Sequence, residues 1–511
     1  MSRTARATVA AAFTYVRFVV TIATGLWLVP FTLHHVGPRL YGFWLASGEL
    51  LAYAGLADMG VLTTVPWLIA DADGRGDRGR LRLLMSTSAA ASGLTATAYA
   101  ALAAALWFQL PGLLHLTQDE RALVQGPLII VAIAGGIAQP LRAFASVLSG
   151  LQDVRFNGFN NLAGWLLGFV LTVTLLEAGY GLYALALGAA VPSLLTGIAC
   201  VVRMAVLAPD LLRGWPAPRW IEIRRMFGEG LGAWLGGWGW RLVAASDSIV
   251  LGALARPALV AALACTSKLS DAMVQLSWVP CDNGLVGLAQ LAAENQKRRL
   301  KDALVVMIRV YLALSGAVAC VVIAANPAFV RAWVGQEMFA SMTANTLIAV
   351  LAVVMSFAHA TAVITSVLGR RLAIGVVTLV CGAIHLGLAR TLGKKFGPSG
   401  VVHAGIMSHG VVFCVLAWRP FAAATGTSEL AIAADVLRPW AWRMIPMVAL
   451  AFLVQRLLGT PSLPIAAAAG GAMGLTVVLF MRPLYIEFGP VRALYERLVR
   501  WPRATPGGPS A

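Results

Sequence analysis

Residues 303–325 read ALVVMIRVYLALSGAVACVVIAA, an apolar run whose one charge is Arg309. At 1.5 Å per residue a helix of this length is about 35 Å long, enough to cross a bilayer's hydrocarbon core of about 30 Å. Working outward, similar runs occupy 9–33, 42–69, 86–109, 123–148, 160–178, 180–203, 228–254 and 258–280 on one side. On the other they occupy 343–368, 372–390, 400–417, 441–458 and 463–481. With 303–325 this gives fourteen expected membrane helices and an all-α, polytopic fold. The 511 residues are 59% hydrophobic and only 12% charged, about half the charged fraction of a soluble chain. Soluble multidomain enzymes and disordered scaffolds are thereby excluded. The polar stretches at 204–227 and 419–440 are too short for a folded aqueous domain.

The net charge of +17 raises the question of nucleic acid, and the placement of the charges answers it. With both termini cytoplasmic, most of the 39 Lys and Arg fall in segments on one side. Examples are Arg75, Arg78, Arg80 and Arg82, then Lys297, Arg298, Arg299 and Lys301. This is the positive-inside pattern, so no nucleic-acid partner is expected. The run after Arg3 and Arg6 is long enough to span and reads as an uncleaved first helix.

Motifs for other chemistry are lacking. No Gly-rich loop ends in Lys-Ser/Thr, the six cysteines are scattered singly, and the histidines show no metal-ligand spacing. Neither a cofactor nor a metal is expected, and no catalytic residue is assigned. Gly230-Leu-Gly232-Ala-Trp-Leu-Gly236 and Gly164-xxx-Gly168 are read as close helix packing.

The informative residues are charges inside the runs, each costing about 2.5–3.5 kcal/mol at a helix centre. These are Arg17, Glu49, Asp58, Arg241, Asp247, Lys268, Asp271 and Arg309. Helical geometry puts Thr14, Arg17, Thr21 and Thr24 in one stripe, and Lys268, Asp271 and Gln275 on one face. Asp247 is turned about 120° from Arg241, and a regular helix would point Glu49 and Asp58 oppositely. Lys268 and Asp271 also have a plain alternative as mutual neutralisers, and Arg17 and Arg309 as snorkelling side chains. As a set they describe a solvated cavity for an anion: guanidinium forks suit phosphate oxygens, and carboxylates suit proton or sodium coupling.

Several motifs occur in a familiar order. Leu28-Val-Pro30, Val36-Gly37-Pro38-Arg39-Leu40-Tyr41-Gly42-Phe43-Trp44 and Leu56-Ala-Asp58-Met-Gly60-Val open the chain, followed by Gly74-Arg75-Gly76-Asp77. Later come Val147-Leu-Ser-Gly150-Leu-Gln152-Asp153-Val-Arg155-Phe156-Asn157, Asp247-Ser-Ile-Val-Leu-Gly252 and Phe396-Gly397-Pro-Ser-Gly400-Val. Along its whole length the chain resembles the bacterial polysaccharide-biosynthesis flippases, the O-antigen (Wzx-like) type of the multidrug/oligosaccharidyl-lipid/polysaccharide (MOP) superfamily. It departs from that pattern at Asp153, where a basic residue is expected after Gln152.

The resemblance implies two pseudo-symmetric six-helix lobes around a central cavity, at 1–206 and 228–418, joined by a cytoplasmic linker at 207–227. Two extra helices with their preceding loop would fill 419–482, and a cytoplasmic tail 483–511. It implies a bacterial inner-membrane transporter, not an enzyme, that flips an undecaprenyl-diphosphate-linked oligosaccharide by alternating access with proton or sodium coupling. Arg17, Arg241, Lys268 and Arg309 are expected at the diphosphate or acidic glycan. Asp58, Asp247, Asp271 and Glu49 are expected in ion coupling or charge balance. Membrane lipids, a polysaccharide polymerase and a chain-length regulator are the expected partners. A lipid II flippase, a multidrug exporter of the same superfamily and a multispan glycan polymerase or glycosyltransferase are the rival readings.

Overall fold

A computed structural model describes residues 3–254, 256–282, 284–427, 429–459 and 462–486. Among these, all regular structure is helical. The order is α1 (Arg3–Ala54), α2 (Val61–Gly74), α3 (Arg78–Leu113), α4 (Gln118–Gly150), α5 (Val154–Glu177) and α6 (Leu182–Leu207). Next come α7 (Trp220–Ala253), α8 (Pro257–Asp282), α9 (Leu285–Ala293), α10 (Lys297–Val334), α11 (Met342–Thr365) and α12 (Arg371–Phe396). The chain continues through α13 (Pro398–Ile406), α14 (Cys414–Thr425), α15 (Glu429–Ile432), α16 (Arg438–Leu458), α17 (Leu463–Phe480) and α18 (Arg482–Tyr485). The expected tail at 483–511 lies outside the described residues beyond 486.

Among the described residues, eleven helical segments are long and apolar enough to cross a membrane. Two of them, Val16–Asp58 and Met342–Phe396, contain a break: Gly37 has φ 75° and Gly369 φ 95°. Only glycine adopts such angles without strain, and Pro38 reinforces the first break by disfavouring helix in the residue before it. Each of these segments therefore holds two apolar helices. With α7, whose charges lower its hydropathy, about fourteen are present, as expected from the runs.

The run at 42–69 is not one helix. It breaks at a 3-10 turn, Gly55–Asp58, followed by left-handed Met59 (φ 48°) and Gly60 (φ 73°). Asp58 closes the break by accepting from the Gly60 N–H at 3.0 Å.

The chain forms two compact units, 1–265 with 375–408, and 266–374 with 409–511. Contacts, not internal symmetry, define them, so the lobes at 1–206 and 228–418 stay an expectation. In the first unit, a Cβ at Gly164 would lie 2.5 Å from Thr196, and one at Gly168 2.6 Å from the Gly188 carbonyl oxygen. Glycine thus lets α5 and α6 meet closely.

The helix α7 does the same on two faces. Gly230 and Gly237 approach Gly60 and Leu56, whereas Gly232 and Gly239 approach Gly375, Thr378 and Gly382 of α12. Positions 230 and 232 are about 200° apart on a helix, and each glycine recurs seven residues on. The segment is a two-sided packing helix, in agreement with its sequence reading.

One end of this unit carries the basic turns. Arg80 donates to both oxygens of Glu222 at 2.7 and 2.8 Å. Arg203 pairs with Asp153 at 2.7 Å, which gives the unexpected acid after Gln152 a partner.

In the second unit α10 is the buried core, packed by α11, α16 and α17. The Asn326 side-chain N–H donates to the Thr266 carbonyl at 2.8 Å and to Asn345 Oδ1 at 2.7 Å. Asn345 in turn donates to the Val322 carbonyl at 3.0 Å. Burying these amides is tolerable because both side-chain nitrogens find acceptors here, while Asn326 Oδ1 is left without a partner among the described residues.

Candidate functional site

The two faces of α7 also sort its charges. Arg241 is eleven residues beyond Gly230, which returns it to the face that meets α1. There its Nη1 donates to Glu49 at 3.0 Å. Tyr53 donates to the Arg241 carbonyl at 3.1 Å, and the Trp234 indole donates to the carbonyl of Leu56 at 2.6 Å. At the helix break the Leu56 carbonyl, which accepts from the Met59 N–H at 3.3 Å, thus gains a second donor from α7, in keeping with the need to satisfy backbone groups in a membrane interior. Asp247 points to the other side, where its Oδ1 meets His385 Nε2 of α12 at 3.1 Å. The 120° between Arg241 and Asp247 is the angle between two separate partnerships.

Two adjoining clefts open in the same unit, of about 610 and 550 Å³, and share Trp44, Asn161, Ser193 and Thr196 in their walls. Arg17 and Thr21 line the larger. Thr24, the next member of that stripe, accepts from Trp165 at 2.8 Å, and Trp165 lines it too. Only the backbone of Thr14 is described. Arg142, Gln139 and Asn160 line the smaller. Neither wall includes Arg241 or Glu49, which pair with each other instead.

Arg142 falls among the basic residues counted to the cytoplasmic side and is not one of the expected site residues; it lies inside α4, roughly two turns before the helix ends at Gly150. Its Nη1 donates to Gln139 at 3.4 Å. The clefts therefore combine guanidinium groups with amides and hydroxyls, the donors and acceptors that phosphate and sugar call for.

The remaining expected residues are in the second unit. Lys268 is half-buried and Asp271 exposed on α8. Arg309 donates twice to the Asp435 carbonyl, at 3.0 and 2.7 Å, so it also serves as a backbone tie. The unit holds a cluster that sequence reading missed: Asp282 accepts from Tyr311, and His359 Nε2 lies 3.1 and 3.2 Å from its two oxygens. The His359 ring stacks on Trp278 with centroids 3.9 Å apart. Among the described residues no group of three His, Cys, Asp or Glu could hold a metal ion.

No family model matches the chain, and no curated protein does. Solved structures match in shape. The chain is similar to the lipid II flippase MurJ in its inward closed conformation, with 13% identity and a TM-score of 0.63. That match covers 96% of this chain and 99% of the other. The chain shares the fold of that structure.

A second MOP structure, an inward-facing multidrug resistance MATE family transporter, matches at 16% identity and TM-score 0.60, covering 81% of this chain and 96% of that one. A MOP superfamily transporter from Pyrococcus furiosus matches at 14% and 0.53, covering 84% and 96%. At these identities the likeness speaks to the MOP fold alone. Within that fold, His385 and His359 are among the ionisable residues that sequence reading passed over. Each finds its carboxylate only across helices, so spacing along the chain gave no sign of it.

Proposed function

We propose that the chain is a transporter of the bacterial inner membrane. It flips an undecaprenyl-diphosphate-linked oligosaccharide, an O-antigen or other polysaccharide repeat unit, by alternating access coupled to an ion gradient. The observation that carries this reading is the pair of clefts with Arg17 and Arg142 among hydroxyls and amides, within the long apolar stretches of α1 and α4. Both side chains are exposed, and a cation open to a cleft at membrane depth is available to an anionic partner. A diphosphate bonded to a sugar offers both the anion and the polar groups the walls address. Arg241, Lys268 and Arg309 complete the cationic set, with Glu49, Asp58, Asp247 and Asp271 as charge balance or coupling groups. The protein would act beside a polysaccharide polymerase and a chain-length regulator, without catalysing a reaction.

The test is export of surface polysaccharide in cells carrying Arg17→Ala or Arg142→Ala at matched protein levels. Export is expected to fall in both, and unchanged export in both removes the diphosphate site. Lipid II transport is the second reading, favoured by the full-length match to the MurJ fold, its last helices included. Rescue of cells depleted of peptidoglycan-precursor flipping would select it. Glycan polymerisation by the purified protein would overturn both.

A further inference from the structure

The Asp247–His385 contact has a third member. His385 is 1% exposed and Asp247 21%. His385 Nδ1 lies 3.3 Å from Ser408 Oγ, and that hydroxyl donates to the Gly405 carbonyl at 3.1 Å. A hydroxyl has one proton. With it on Gly405, Ser408 accepts from His385, which fixes the proton on Nδ1 and leaves Nε2 as the exchangeable nitrogen facing the carboxylate. Ser408 is held by a local widening of the helix to π geometry over Met407–Phe413, a distortion that recurs at functional sites.

The other ionisable groups within about two turns of these residues are few, and they include His409 next to Ser408. Glu49 and Tyr53 come from α1, Arg241 from α7, Cys381 and Arg390 from α12, and His403 from α13. Arg241 is occupied by Glu49, and His403 is exposed. A sodium ion would seek several oxygen ligands, and this pair offers a nitrogen opposite a carboxylate.

We propose that the Asp247–His385 pair, with Ser408 holding the histidine tautomer, is a proton-binding site that couples transport to a proton gradient. The coupling rests on the transport function proposed above; the proton site does not. In the loaded state an imidazolium faces a carboxylate, and Nε2–H bonds α12 to α7. On release, that proton passes to Asp247 Oδ1 and from there to water on the carboxylate's more exposed side. A neutral imidazole remains, protonated on Nδ1, with a bare Nε2 opposite the carboxylate anion. Two acceptors 3.1 Å apart repel, so the link between the helices holds only while the proton is bound.

Histidine-selective ¹⁵N spectra of the purified full-length protein, assigned with His385→Gln, read both nitrogens. The expected result is a protonated Nδ1 throughout an acid-to-alkaline titration and an Nε2 that loses its proton. A bare Nδ1 beside a permanently protonated Nε2 overturns the site. In proteoliposomes a pH gradient is expected to stimulate movement of the lipid-linked oligosaccharide about tenfold, a common scale of coupling between sites. Asp247→Asn and His385→Gln, checked by size exclusion and melting temperature, are expected to lose that stimulation, and Ser408→Ala to reduce it. Stimulation that persists in both, or that a sodium gradient supplies instead, overturns the coupling. If the wild type moves no such lipid while Nε2 still exchanges its proton, the transport reading fails and the proton site stands.

Discussion

Gly60 and Gly230 meet backbone to backbone: a Cβ built on Gly230 would lie 2.5 Å from the Gly60 carbonyl oxygen. Gly230→Ala therefore forces the break after α1 away from α7. Overpacking of this kind costs about 1–3 kcal/mol. A lower melting temperature of the detergent-purified protein is expected, while Gly228→Ala, with open space around it, leaves it nearly unchanged. Equal losses at both positions would rule out the contact as the cause, since alanine is by itself the better helix former.

Glu49 and Arg241 neutralise each other across 3.0 Å, with about a third of each side chain exposed. Removing either partner leaves a charge in a poorly solvated place. Each single change to Ala is expected to cost about 1–2 kcal/mol, between the surface and buried extremes. The double change is expected to cost less than the two together. A double-mutant cycle on thermal stability measures this, and strict additivity would mean that the pair contributes no coupling.

Glu222 gives a pH dependence of known sign. The two hydrogen bonds from Arg80 hold its carboxyl below the ordinary value of 4.5, and partial burial offsets only some of that. A depressed folded value means that the stabilisation is present above pH 4.5 and is lost as the pH falls through the folded value. Glu222→Gln is expected to flatten the acid limb of stability against pH. An identical acid limb in the variant would assign that limb to other carboxylates.

Asn326 is fully buried and joins Thr266 to Asn345. Asn326→Leu removes a donor from both and strands two acceptors. Unsatisfied buried groups cost about 1–3 kcal/mol each, so a marked fall in melting temperature is expected. Asn326→Leu with Asn345→Leu is expected to recover part of it, because the stranded Asn345 amide is removed while the Thr266 carbonyl stays without its side-chain donor.

The helices were legible because hydrocarbon length and charge exclusion write themselves into single runs of sequence. The break at 55–60 was not, since Gly60 and Asp58 sit in an otherwise apolar stretch and the bare backbone of Gly230 lies far along the chain. The stripe from Arg17 to Thr24 was legible because one helix holds it. Arg142 was lost because a basic residue two turns from a helix end looks like a loop residue when charges are tallied by side. Arg241 and Glu49 are 192 positions apart, and His385 and Asp247 138. Periodicity on one helix tells which way a residue faces and nothing about which helix stands there.

The glycines of α7 limit how that helix can move. Backbone touches backbone on opposite faces, at Gly60 on one and at Gly375 and Gly382 on the other. Turning the helix about its axis by one residue would drive side chains into both neighbours at once. The helix is thus gripped between two backbones and cannot roll in place.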